Sequence, residues 1–74
     1  MSPSLPVISG QQAIRALEKA GFRRIRQKGS HVVVRRDDPF SQLTVPNHKV
    51  LDRGTLRSII RQANLSVGEF IELL

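Results

Sequence analysis

FRRIRQKGSHVVVRRDDPFSQLTV, residues 22–45, divides into three β-type runs: Phe22 to Gln27, His31 to Arg36 and Phe40 to Val45. The breaks between them, Lys28-Gly29-Ser30 and Asp37-Asp38-Pro39, are short and built from turn residues. Such spacing predicts two hairpins and an antiparallel meander. Side chains alternate faces along a strand, so Val32 and Val34 share one side while His31, Val33 and Arg35 share the other. The first side is expected to be covered by helices, with Ile25, Leu43 and Val45 joining it. The second is expected to face solvent.

Working outward, Ser9-Gly10-Gln11-Gln12 has the spacing of a capping box, and Ala13, Ile14, Ala16, Leu17 and Ala20 follow at helical intervals up to Gly21. A first helix is expected over about 10 to 20. On the other side Pro46 is expected to stop the third strand, and Asn47 to Gly54 to form a loop. A second helix then carries Leu56, Ile59, Ile60 and Ala63 on one face and Arg53, Arg57 and Arg61 on another. Asn64 can end it in a left-handed conformation. Ser66-Val67-Gly68-Glu69 is a second capping box, ahead of Phe70, Ile71, Leu73 and Leu74. The expected architecture is α+β: a two-layer α-β-β-β-α(-α) domain whose three-stranded antiparallel sheet has helices on one face. Residues 1–6, with prolines at 3 and 6, are expected to be a flexible N-terminal tail, and residues 7–74 a single domain.

A chain of 74 residues has room for one small core, and 39% AVILMFWYC residues with 5 glycines is an ordinary globular composition. Cysteine is absent, which excludes a disulfide framework and thiolate metal sites. The start MSPSLPVISG has neither the basic onset nor the apolar run of a signal peptide. No window approaches the ~20 apolar residues of a membrane span, so the expected location is cytoplasmic, with no membrane partner.

Twelve Lys and Arg against six Asp and Glu leave a net charge of +6. Arg23, Arg24, Arg26, Lys28, Arg35 and Arg36 crowd six of these cations into fourteen residues, and hairpin formation would bring them side by side. Repulsion on that scale favours a polyanionic partner, and a phosphate backbone suits it. Three phenylalanines are the only aromatics, and at least two look like core, so recognition by base stacking is not expected. Within the basic stretch, Gly29-Ser30-His31 has a catalytic reading. An ordinary imidazole titrates near ~6.5 and can take and return a proton at neutral pH, as RNA cleavage through the 2′-hydroxyl requires. A glycine turn lets a phosphate approach the backbone N–H groups, with Lys28 beside it as a fixed charge. The bland alternative is an ordinary surface histidine at a strand edge. His48, after Pro46-Asn47, is either a second acid/base or a loop residue. Two histidines seventeen positions apart, with scattered acids, have no metal-ligand spacing, so neither metal nor cofactor is expected.

The runs Ile8-Ser9-Gly10, Leu17-Glu18-Lys19-Ala20-Gly21-Phe22, Arg26-Gln27-Lys28-Gly29-Ser30-His31, Val45-Pro46-Asn47-His48 and Gly54 through Ala63 together resemble the HicA toxin family of bacterial toxin–antitoxin systems. The likeness spans residues 7 to 74. It implies a fold similar to the double-stranded-RNA-binding domain, metal-independent mRNA cleavage and neutralisation by a cognate HicB-like antitoxin. It also implies that His31 is the catalytic histidine, that Gly29 shapes its turn, and that His48 matches a frequent histidine of the family. Val32-Val33-Val34 departs from the family in lacking an aromatic. The expected site is thus His31 with Lys28, Gly29 and Ser30, RNA-binding Arg23, Arg24, Arg26, Arg35, Arg57 and Arg61, and His48 as candidate second acid/base. A non-catalytic RNA-binding module on the same fold and a basic adaptor for an acidic protein are the competing functions.

Overall fold

The first helix, α1 (Gly10–Lys19), starts at a reciprocal cap: Ser9 Oγ accepts from the Gln12 N–H at 3.1 Å and Gln12 Oε1 accepts from the Ser9 N–H at 2.9 Å. The computed structural model describes residues 4–74. Three strands follow, β1 (Arg23–Lys28), β2 (His31–Asp37) and β3 (Phe40–Pro46), paired antiparallel in the order β1-β2-β3. Then come α2 (Arg53–Gln62) and α3 (Val67–Glu72), the latter opened by the reciprocal Ser66/Glu69 cap. This is the expected α-β-β-β-α-α order, an α+β arrangement with helices flanking the sheet.

One hydrophobic cluster joins Val32, Val34, Leu43 and Val45 of the sheet to Ile14 and Leu17 of α1, Leu56, Ile59 and Ile60 of α2, and Phe70 of α3. Each fully buried side chain of this kind contributes roughly 1.5–3 kcal/mol. The helices therefore cover the even-numbered side of β2 and leave its His31 side open. Among the described residues no helix is long and apolar enough to cross a membrane.

Four expectations are corrected. Ile25 does not join the covered face: the ladder shifts between Arg24 and Arg26, so Ile25 is the unpaired residue of a β-bulge and stays exposed. Val33, expected in solvent, is only 9% exposed, because β2 is the central strand and Val33 is flanked by Arg26 and Thr44 across both ladders. The loop expected over Asn47 to Gly54 ends earlier: Asp52 caps α2 by accepting from the Thr55 N–H at 3.0 Å, which brings Arg53 and Gly54 into the helix. The core also reaches into the expected tail, since Leu5 is buried, next to the domain's Ile8, whose carbonyl accepts from the Leu51 N–H at 2.8 Å. The part of that tail over 1–3 lies outside the described residues. Asn64 does turn left-handed after α2, with φ of 63°.

Arg36 gathers the ends of the elements. Its guanidinium donates to the carbonyls of Pro39 (3.0 Å), Ala20 (3.4 Å) and Ala63 (3.1 Å), and lies 4.6 Å from the Phe22 ring centroid. Ala20 and Ala63 are the C-caps of α1 and α2, where a cation also meets the negative ends of the helix dipoles. Beside it the Ser41 hydroxyl donates to the Gln62 carbonyl at 2.6 Å. Arg36→Ala is expected to lower unfolding free energy by about 2 kcal/mol, through the loss of charge-assisted hydrogen bonds to partly buried carbonyls. Arg57→Ala, on an exposed helix flank, should stay within about 0.5 kcal/mol. Urea titrations of the two variants check this contrast.

Asp37, Asp52 and Glu69 are all held below their ordinary values of 3.8, 3.8 and 4.5, by the Arg23 hydrogen bond first for Asp37, by Thr55 donors for Asp52 and by Ser66 donors for Glu69. Each carboxyl therefore binds its proton more weakly in the folded chain than in the unfolded one. Their contribution to stability is complete above about pH 4.5 and is lost as pH falls through the lowered values. Thermal melts should show a flat midpoint down to about that pH and a falling one below it, and Asp37→Asn should flatten the acid side of the curve.

Candidate functional site

Gly29 and Ser30 form the two-residue loop between β1 and β2. Gly29 has φ of 58° whereas Ser30 is not left-handed, the φ signature of a type II′ hairpin turn. Only the first central position needs a residue without a side chain, and Gly29 is there. The Gln27 side-chain amide closes over the turn by donating to the Gly29 carbonyl at 3.1 Å. His31 is the first residue of β2, paired with Lys28 on one side and Pro46 on the other, and it is exposed.

The bulge in β1 decides which cations share the His31 face. Arg24 pairs with Val34 and so belongs to the helix-covered side, while beyond the bulge Arg26 pairs with Val33 and Lys28 with His31. Without the extra residue Arg26 would fall opposite Val32, on the covered side. Arg26, Lys28 and His31 thus stand together on the open face.

The other basic residues are engaged elsewhere. Asp37 accepts from Arg23 at 2.8 Å and lies 3.2 Å from Arg35 Nε, the latter an ion pair without hydrogen-bond geometry. Arg24 lies 3.7 Å from Glu18 and donates to Gln11 Oε1 at 3.0 Å. Arg36 is the clamp described above. Of the crowded cations, Arg26 and Lys28 have no ion pair or side-chain hydrogen bond among the described residues. Arg57 and Arg61 are exposed on α2, in the helix layer rather than on the sheet.

The loop after β3 is drawn to the same end of the sheet. The Asn47 N–H donates to the Ser30 carbonyl at 2.6 Å, and the Gly10 N–H donates to the His48 carbonyl at 2.9 Å. Gly10 is buried against Pro46 so closely that a Cβ there would collide with the Pro46 carbonyl oxygen. Gln11 Nε2 donates to Asn47 Oδ1 at 2.9 Å. His48 is exposed, and its charge adds a smaller contribution to the Thr55 donors in lowering Asp52, which sets it near the start of α2. One end of the sheet therefore collects Lys28, Gly29, Ser30, His31, Asn47 and His48. The Gln11 and Asn47 contributions were not legible in the sequence: thirty-six positions separate them, and only the Gly10–Pro46 approach brings them into contact.

This end has an exposed imidazole, fixed cations and an approachable glycine turn, which together can receive a phosphodiester and move a proton beside it. No group of three His, Asp or Glu side chains that could hold a metal ion forms among the described residues.

A search of the curated proteins returns no match. The family model for the HicA toxin of bacterial toxin–antitoxin systems matches residues 10–65, a span that begins at the glycine under Pro46 and takes in the whole sheet and α2. The match covers well over half of the chain and every residue of the corner just described, so the chain belongs to the HicA toxin family, and with that membership comes an antitoxin partner.

Proposed function

We propose that this chain is an endoribonuclease toxin that cleaves mRNA without a metal, with His31 as general acid/base. The observation that carries the reading is the exposed imidazole of His31 at the mouth of the type II′ turn, on the open sheet face with the uncommitted Arg26 and Lys28. In the reaction His31 takes the proton of a ribose 2′-hydroxyl, the 2′-oxygen bonds to the adjacent phosphorus, and the bond from phosphorus to the 5′-oxygen breaks. The leaving 5′-oxygen takes up a proton, for which His48 is the candidate donor. Lys28 and the turn N–H groups would balance charge on the pentacoordinate phosphorus. A Cβ at Gly29 would have nothing within 4 Å, so the turn is open to a phosphate. Family membership supports the toxin half of the proposal. The cytoplasm, where mRNA is translated, is the proposed location, and an acidic antitoxin surface laid over Arg26, Lys28 and His31 would exclude RNA while matching the charge.

Purified protein in EDTA should cut a long mRNA, and His31→Ala should lower the rate by at least about 10²-fold, the usual worth of a positioned acid/base. Its melting temperature should match the wild type, because an exposed side chain leaves no cavity. Full cleavage by folded His31→Ala discards the assignment, and binding without cleavage by the wild type points to the RNA-binding module.

Affinity should depend steeply on salt. With about four phosphate contacts to a single strand the slope of log K against log salt should be roughly −3, at ~0.7 per contact. Arg26→Ala and Lys28→Ala should each reduce it by about 0.7, whereas Arg23→Ala should change it less, since Arg23 is shared with Asp37. Fluorescence anisotropy across a salt series measures both.

A further inference from the structure

Three side chains, from α1, β1 and the loop after β3, form a hydrogen-bond chain with a fixed direction. A guanidinium has donors and no acceptor, so the 3.0 Å contact from Arg24 Nη2 obliges Gln11 to present its carbonyl oxygen. The other end of the Gln11 amide is then an NH₂ group, which donates to Asn47 at 2.9 Å and obliges Asn47 to present Oδ1. Asn47 Nδ2 is left with two N–H donors and no protein acceptor among the described residues, on an exposed residue. The Asn47 backbone is bonded to Ser30 in the turn before His31, so Asn47 itself stands beside the candidate site.

From this we infer that Asn47 is a phosphate-contacting catalytic residue, its side-chain amide donating to a non-bridging oxygen of the scissile phosphate as charge builds there. Gln11 and Arg24 are positioning residues that set which way the amide faces. The inference rests on the ribonuclease reading of the site and adds to it a neutral donor and its orienting relay. Arg24 accordingly acts from the covered side of the sheet, through Gln11, rather than by gripping RNA itself. Glu18, 3.7 Å from Arg24, steadies the far end of the relay.

Asn47→Asp keeps the acceptor that Gln11 uses and removes the donor, and Gln11→Glu keeps the acceptor that Arg24 uses and cannot donate to Asn47. Removing one such donor from a developing oxyanion typically lowers kcat by about 10²-fold. Each variant should therefore show that fall in single-turnover cleavage, with an unchanged melting temperature and a smaller fall in affinity for a 2′-deoxy oligonucleotide that cannot be cut, because the contact strengthens as charge builds and the added carboxylate repels phosphate. The double variant should be no slower than Asn47→Asp, because the relay acts only through Asn47. Independently of any cleavage, the Asn47 side-chain NH₂ resonances of the wild type should shift when the 2′-deoxy oligonucleotide is added, and in Gln11→Glu they should not. Wild-type kcat in Asn47→Asp, a rise in KM alone, multiplying effects in the double variant, or unmoved NH₂ resonances at saturation would each overturn the inference. If the wild type cuts no RNA, the ribonuclease reading fails, and the NH₂ resonances still decide whether Asn47 contacts phosphate.

Discussion

A missing side chain at residue 10 is the constraint on which the candidate-site end of the molecule depends. The backbone of Gly10 lies against the Pro46 carbonyl with no room for a Cβ, and its N–H is bonded to the His48 carbonyl. Because Gly10 is also the first residue of α1, this contact locks the helix start to the exit of β3. The loop 46–48 is then held next to the Gly29-Ser30 turn, where the Asn47 N–H reaches Ser30. Any larger residue at position 10 would have to move two backbone segments at once, the kind of overpacking that a close-packed interior relieves poorly.

At the other end of the sheet a second constraint solves a charge problem. Six cations over residues 23–36 would repel one another if they shared a surface. Strand parity and the bulge divide them between two faces, and Asp37, Glu18 and the carbonyls of Pro39, Ala20 and Ala63 take up most of what remains. Arg36 is thereby part of the packing of the fold rather than of its surface. The two cations left without partners among the described residues, Arg26 and Lys28, are those nearest His31 in the ladder. A small basic protein can in this way stay folded while keeping positive charge at one place.

Much of the architecture was legible because it is encoded locally. Both capping boxes, the left-handed Asn64, the glycine turn and the burial of Val32 and Val34 follow from spacings of a few residues. What escaped was non-local. Ile25 reads as a core residue by its hydrophobicity, and only the register between β1 and β2 shows it to be the bulged position. Arg24 and Arg36 read as surface cations, since nothing near them in the chain hints at Gln11, or at helix ends sixteen and twenty-seven positions away. At the site, His31 and its turn could be picked out from adjacent residues, whereas the Arg24–Gln11–Asn47 chain exists only once α1, β1 and the β3 exit have packed.

In the proposed reaction the imidazole at the end of this sheet moves a proton at a ribose 2′-hydroxyl, and the chemistry of the cut ends tests that most directly. An RNA cleaved in EDTA should yield a 2′,3′-cyclic phosphate on one fragment and a 5′-hydroxyl on the other, and a single 2′-deoxy substitution at the cleaved nucleotide should abolish cutting there while neighbouring sites persist. Fragments bearing a 3′-hydroxyl and a 5′-phosphate, or continued cutting at the 2′-deoxy position, would contradict it.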